Sequence, residues 1–223
     1  MTIRSPGNLV TEMKRLLVVL LATVLLLSSC SKVNRFERDA EGIGYTDSKT
    51  DIFYKELDPC YEPAAAGETV GEYLGEEKEV LRTFRQIPGL EPSLFLTDDY
   101  LHVYYAGKDQ IDAAAWTVEH VLICEEDAIS VELFRYTAGK ADTAIAALRA
   151  AWFVAESNER LPIGAPQISY RVKLTTAAYP NLLYSFSFFA YESGEAYFYD
   201  AFSRHTVAVP ESLLSDFLPA DKG

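Results

Sequence analysis

The chain has 223 residues, 33 of them acidic against 20 basic, for a formal charge of −13. That acid excess excludes a protein that grips phosphate backbones or anionic lipid through Lys and Arg. With 49% apolar residues and only three cysteines, a chain of this length buries enough surface to fold without disulfides.

Residues 1–12 precede a second methionine, Met13, which is an alternative start. From there the order is Lys14-Arg15, an apolar run of twelve from Leu16 to Leu27, then Leu27-Ser28-Ser29-Cys30. Twelve residues are too few to cross a bilayer, which takes about 20. The succession of charged, apolar and small residues ending in Cys resembles the type II signal peptide of bacterial lipoproteins. The resemblance rests on Met13 to Cys30 alone, and beyond it the chain is similar only in general character to small bacterial surface lipoproteins. It implies removal of residues 1–29, acylation of Cys30 and residence on the extracytoplasmic face of the cell membrane, because two or more acyl chains anchor stably. Residues 1–29 hold Arg4, Lys14 and Arg15 against Glu12, so a chain starting at Cys30 carries −15 over 194 residues.

Residues 30–57 contain the polar, glycine-bearing stretch Asn34 to Asp51 and are expected to form a tether or N-terminal arm. Residues 58–223 are expected to form a single strand-rich α+β domain. Its entry is the Pro/Ala/Gly segment 58–67. Val80 to Gln86 reads as a strand ended by Ile87-Pro88-Gly89. Ser93 to Thr97 and Tyr100 to Tyr105 flank Asp98-Asp99 as a tight hairpin. Trp116 to Cys124 and Ile129 to Tyr136 flank an acidic tip at 125–128. The period then changes: Ile145, Leu148, Trp152 and Ala155 recur at helical spacing, predicting one long packing helix over about 141–157 with Asp142 or Thr143 as N-cap. Ile168 to Leu174 alternates as a strand with one wet face. Leu182 to Tyr191 and Ala196 to Phe202 form a hairpin about Glu192-Ser193-Gly194-Glu195. Thr206 to Val209 adds a short strand, and Pro210 opens a short C-terminal helix. The sum is an α+β fold, mainly antiparallel β-sheet.

Residues 179–202 concentrate ten of the 28 aromatics, so their facing matters. Pairing Tyr191 with Ala196 puts Tyr184, Phe186, Phe188, Tyr197 and Tyr199 on one uncharged face, expected as core. The other face carries Phe189, Tyr191, Phe198 and Phe202 among Ser and Asp. It reads as a platform for a sugar or protein partner, or as a face covered by another layer, which the usual burial of aromatic strands favours.

Cys60 and Cys124 remain after lipidation. An oxidising exterior permits a bridge between them, and the alternative is a buried apolar thiol at Cys124 with a free loop thiol at Cys60. His102, His120 and His205 lack the spacing of a zinc pair. Asp98-Asp99 and Glu125-Glu126-Asp127 lack the regular spacing of a calcium loop and read as charged hairpin tips. Ser29 and Lys32 match Ser-x-x-Lys only across the processing site. No nucleophile elbow, phosphate loop or dinucleotide fingerprint occurs, so no catalytic residue, metal or cofactor is expected. The leading expectation is a lipid-anchored, non-enzymatic binding or envelope-structural protein with a protein or glycan partner and no nucleic acid. The alternatives are a solute-binding lipoprotein of a transporter and an envelope hydrolase lacking a recognisable motif.

Overall fold

In the computed structural model, described for residues 33–125, 131–155 and 160–218, the segment expected as a tether is folded. Residues 34–56 form β1 (Asn34–Arg38), β2 (Gly44–Asp47) and β3 (Ile52–Glu56), and the compact unit begins at Asn34 rather than at 58. The reason is alternation at short range. In β1, Phe36 is buried while Arg35, Glu37 and Arg38 lie in water. Tyr45 and Tyr54 play the same part in β2 and β3. Each strand is too short to register as apolar, yet each delivers one ring inward.

After β4 (Tyr61–Pro63) come β5 (Thr69–Leu74), β6 (Val80–Gln86), β7 (Phe95–Asp98) and β8 (Val103–Tyr105). Strands β1, β2, β3, β8, β7, β6 and β5 close, in that order, into a seven-stranded barrel. All neighbours are antiparallel except β1 and β5, whose parallel pairing shuts the cylinder. That closure needs Gly71, because a Cβ there would overlap the Phe36 ring and the Asn34 carbonyl. The interior is packed rather than hollow: Phe36, Tyr45, Tyr54, Phe84, Leu96 and Tyr104 fill it. Their rings meet mostly tilted or edge-on, with Tyr45 and Tyr104 centred 4.9 and 5.3 Å from their common neighbour Phe84, the geometry that ring quadrupoles favour.

The second half is a sheet. β9 (His120–Glu125), β10 (Glu132–Thr137), β11 (Ile168–Thr175), β12 (Leu182–Ala190), β13 (Ala196–Tyr199) and β14 (Thr206–Ala208) run in the order β10, β9, β11, β12, β13, β14. β4 extends this sheet by pairing with the start of β12. One sheet face packs beneath α1 (Asp142–Arg149) and α2 (Glu211–Phe217), through Ile145, Leu148, Leu213 and Phe217 against Val121, Ile123, Phe186, Phe188 and Phe198. The expected long helix over about 141–157 is shorter. α1 passes into a π-helical turn, Ala150–Val154, and the backbone is extended at Ala155. The wider turn sets Ala151 and Trp152 in the sheet core while Phe153 also reaches the cluster below. Asp142 is not the N-cap; its carboxylate accepts the Gly139 amide hydrogen at 2.7 Å, and Ala141 caps without a side-chain bond.

Barrel and sheet share a third apolar cluster: Tyr61, Ile87, Phe95, Val103, Ile111, Trp116 and Leu182. The Tyr61 hydroxyl ties it by donating to the Ile111 carbonyl at 2.9 Å and accepting from the Ala113 amide at 3.2 Å. The expected strands of the second half are present, as is the C-terminal helix. The tips at 126–130 and the stretch 156–159 lie outside the described residues.

Candidate functional site

The polar end of the barrel is built by a hairpin. Asp98 ends β7 and His102 precedes β8, so the connection is the four-residue tip 99–102 rather than the tight two-residue turn expected at Asp98-Asp99. Leu101 sits in the left-handed region at φ +65°, a costly place for a bulky residue. Asp98 holds the tip in that shape. Its Oδ1 accepts the amide hydrogens of Tyr100 and His102, each at 2.9 Å. Its Oδ2 accepts from Arg82 Nη1 at 2.5 Å and from the Tyr104 hydroxyl at 2.9 Å, and lies 3.2 Å from His102 Nδ1. Far from being a charged tip in water, Asp98 has 0% of its surface exposed.

Arg82 enters from β6 and is joined through Nη1 to both Asp98 and the Tyr104 hydroxyl. Its guanidinium also faces the rings of Tyr45 at 5.6 Å and Tyr100 at 5.3 Å, a favourable cation–π arrangement. Burial works to lower the Arg82 pKa, but the phenol of Tyr104 and the carboxylate of Asp98 outweigh it and hold the charge on. Burial, reinforced by the Asp98 and Glu56 charges, drives the Tyr104 phenol well above its ordinary value. Glu56, ending β3, lies 4.0 Å from His102 Nδ1. Tyr100 stands outside this network with 65% of its surface exposed, its ring stacked 6.1 Å from that of His102.

A carboxylate offers about four lone-pair sites, and four donors within the protein already meet Asp98: the Tyr100 and His102 amides, Arg82 Nη1 and the Tyr104 hydroxyl. Among the described residues no group of three or more His, Cys, Asp or Glu side chains converges as a metal site. Beside the barrel mouth, a groove of about 390 Å³ runs between residues 55–58 and 107–111, with Tyr61 and Tyr105 in its walls and Glu56 shared with the cluster. Its volume falls within the range of small-molecule sites, about 300–1,000 Å³.

No protein-family model, curated protein or solved structure matches this chain.

The residues singled out from sequence are dispersed. Cys30 lies outside the described residues. Cys60 and Cys124 are both free and buried, which corrects the bridge. Cys124 on β9 is separated from Cys60, which immediately precedes β4, by β11 and β12. Three inter-strand spacings make about 14 Å, twice the Cα separation a disulfide tolerates. Burial pushes the Cys60 thiol up to about 12, with the Asp200 charge adding to it, and burial raises Cys124 as well.

The aromatic platform also divides. Ala190, not Tyr191, pairs with Ala196, and a one-residue slip turns every β13 side chain over. Phe198 therefore faces Phe188 in the core at 0% exposure, while Phe202 lies in the turn after β13 at 61%. Phe189 remains on the opposite face but partners Tyr199 at 5.7 Å, and Tyr191 partners Tyr197 at 6.1 Å. The four residues form no common surface. His205 Nε2 sits 3.0 Å from the Trp152 carbonyl, and the His120 amide donates to Thr175 Oγ1 at 3.1 Å. Asp99 pairs with Arg85 at 3.1 Å on the surface. Sequence reasoning missed the barrel-mouth cluster because Arg82 and Asp98 come from different strands, and the β6–β7 pairing is what brings them together.

Proposed function

We propose that this is a lipid-anchored extracytoplasmic protein with a non-enzymatic binding role, and that the barrel mouth is its recognition end. The order of Lys14-Arg15, the apolar run and Leu27-Ser28-Ser29-Cys30 supports the anchor. The observation that carries the binding role is Asp98: a fully buried carboxylate spent on fixing a strained tip that lifts Tyr100 into water. Backbone strain kept by dedicated hydrogen bonds clusters at functional sites, and a rigid exposed tyrosine contributes contact area at small entropic cost. Val80 and Leu81, both exposed on β6, extend the apolar rim beside Arg82. The partner is a protein or glycan; the net charge disfavours nucleic acid.

A photo-crosslinker placed at Tyr100 of the lipidated protein in cells should yield one discrete adduct that a crosslinker at Glu192 does not. Tyr100→Ala should abolish capture of that partner while shifting the melting temperature by no more than about 1 °C, since exposed substitutions cost little. Equal adducts from both positions would count against the recognition end. Cys30→Ala should leave an unprocessed precursor without lipid label.

The neighbouring groove favours a second reading, a solute-binding lipoprotein serving a transporter. A rise in melting temperature with one small solute, lost on Tyr105→Ala, would select it.

A further inference from the structure

We infer that the barrel is held directly against the bilayer by its Asn34 end, with the Asp98 mouth turned outward. This rests on acylation of Cys30. Only Ser31, Lys32 and Val33 separate that cysteine from β1, which starts at Asn34. Four Cα steps span at most about 14 Å when fully extended, about twice the thickness of one headgroup layer. The Asn34 end therefore stays within about one strand spacing or two of the lipid surface.

The end that must come down is set by hydrogen bonds. Asn34 Nδ2 donates to Asp47 Oδ2 at 2.9 Å, and the Ser48 amide donates to the Arg35 carbonyl at 2.9 Å. Asp47 Oδ1 accepts the Lys49 amide at 2.9 Å. Asp47 is buried, whereas residues 48–51 are exposed. The β2–β3 turn is thus stapled to the start of β1 and travels with it to the membrane. β1 and β5 both run away from that end in parallel, so the β5–β6 turn, with Glu76 and Glu77 exposed, lies at the far end beside Arg82. The longest barrel strand, β6, has seven residues, so the two ends differ in depth by up to about 20 Å. The lipid, not surface charge, imposes the contact, because a mature charge of −15 gives no attraction to anionic headgroups.

The test uses the lipidated full chain in vesicles of phosphatidylcholine and phosphatidylglycerol carrying a headgroup nitroxide. A fluorophore is attached at Lys49→Cys or Glu77→Cys; the native Cys60 and Cys124 are buried and spared. Quenching several-fold stronger at position 49 than at 77 is expected, and a long Gly/Ser spacer inserted after Lys32 should abolish the difference. The Cys30→Ser chain should not bind the vesicles. Equal quenching at both positions, or stronger quenching at 77, in protein whose mass shows the lipid would overturn the orientation and leave the anchor standing. Absence of lipid from the wild-type protein would overturn the anchor and the orientation together.

Discussion

Asp98 shows what a single residue does in this molecule. Its carboxylate joins three strands by meeting Arg82 of β6, Tyr104 of β8 and the amides of its own tip. Replacing it leaves Arg82 and Tyr104 without their acceptor in a site shielded from water. Asp98→Ala should therefore cost about 3 kcal/mol by urea unfolding, the scale for removing one partner of a buried pair. Arg82→Ala combined with Asp98→Ala should cost less than the two single changes added, because the double change removes both the charge and its orphan. Additive losses would show that the pair is not coupled. In the sequence this residue is one of two adjacent aspartates in a polar turn. Nothing local distinguishes the buried Asp98 from the exposed Asp99, since the distinction comes from a pleat that turns alternate side chains inward.

At the scale of elements, the β12–β13 hairpin explains why the platform dissolved. The loop holds five residues, 191–195, closed by the Tyr191 amide bonding to the Glu195 carbonyl at 2.9 Å and by Gly194 at φ +88°. Both strands are legible from their alternation, but their register is set by that loop, and one residue of difference exchanges Phe198 with Tyr197. Phe198→Ala should accordingly cost about 3–5 kcal/mol, the range for truncating a buried ring, measured as a fall in the denaturant midpoint. Phe189→Ala, half-buried on the other face, should cost roughly 1 kcal/mol. The reverse order would restore the register expected from sequence. Helix α1 carries the same lesson: its apolar spacing is visible, whereas the π turn at Ala150–Val154 answers to where Trp152 must lie, stacked 4.2 Å from Phe186.

For the molecule as a whole, tyrosines buried at the barrel core and at its junction with the sheet predict the pH response. Burial raises the Tyr54 and Tyr61 phenols from 10.0 to about 12. A raised phenol keeps its proton in the folded state after the unfolded chain has lost it, so unfolding releases protons in that range. Their contribution is intact below pH 10 and is lost as pH rises through about 12. The urea midpoint should be level from pH 8 to 9.5 and fall between pH 10 and 12; Tyr54→Phe should weaken that fall, and an unchanged slope would remove Tyr54 from the account. By itself the sequence determined the strands from Val80 onward, the helical stretch after 141 and the terminal helix, because each is written in periodicity along a few neighbouring residues. Only the tertiary structure decided that residues 34–56 are barrel staves, that the two thiols stand apart, which face of β13 is core and that Asp98 is buried. Those outcomes depend on which distant strand lies alongside, and pairings such as β1 with β5 leave no trace in the residues next to them.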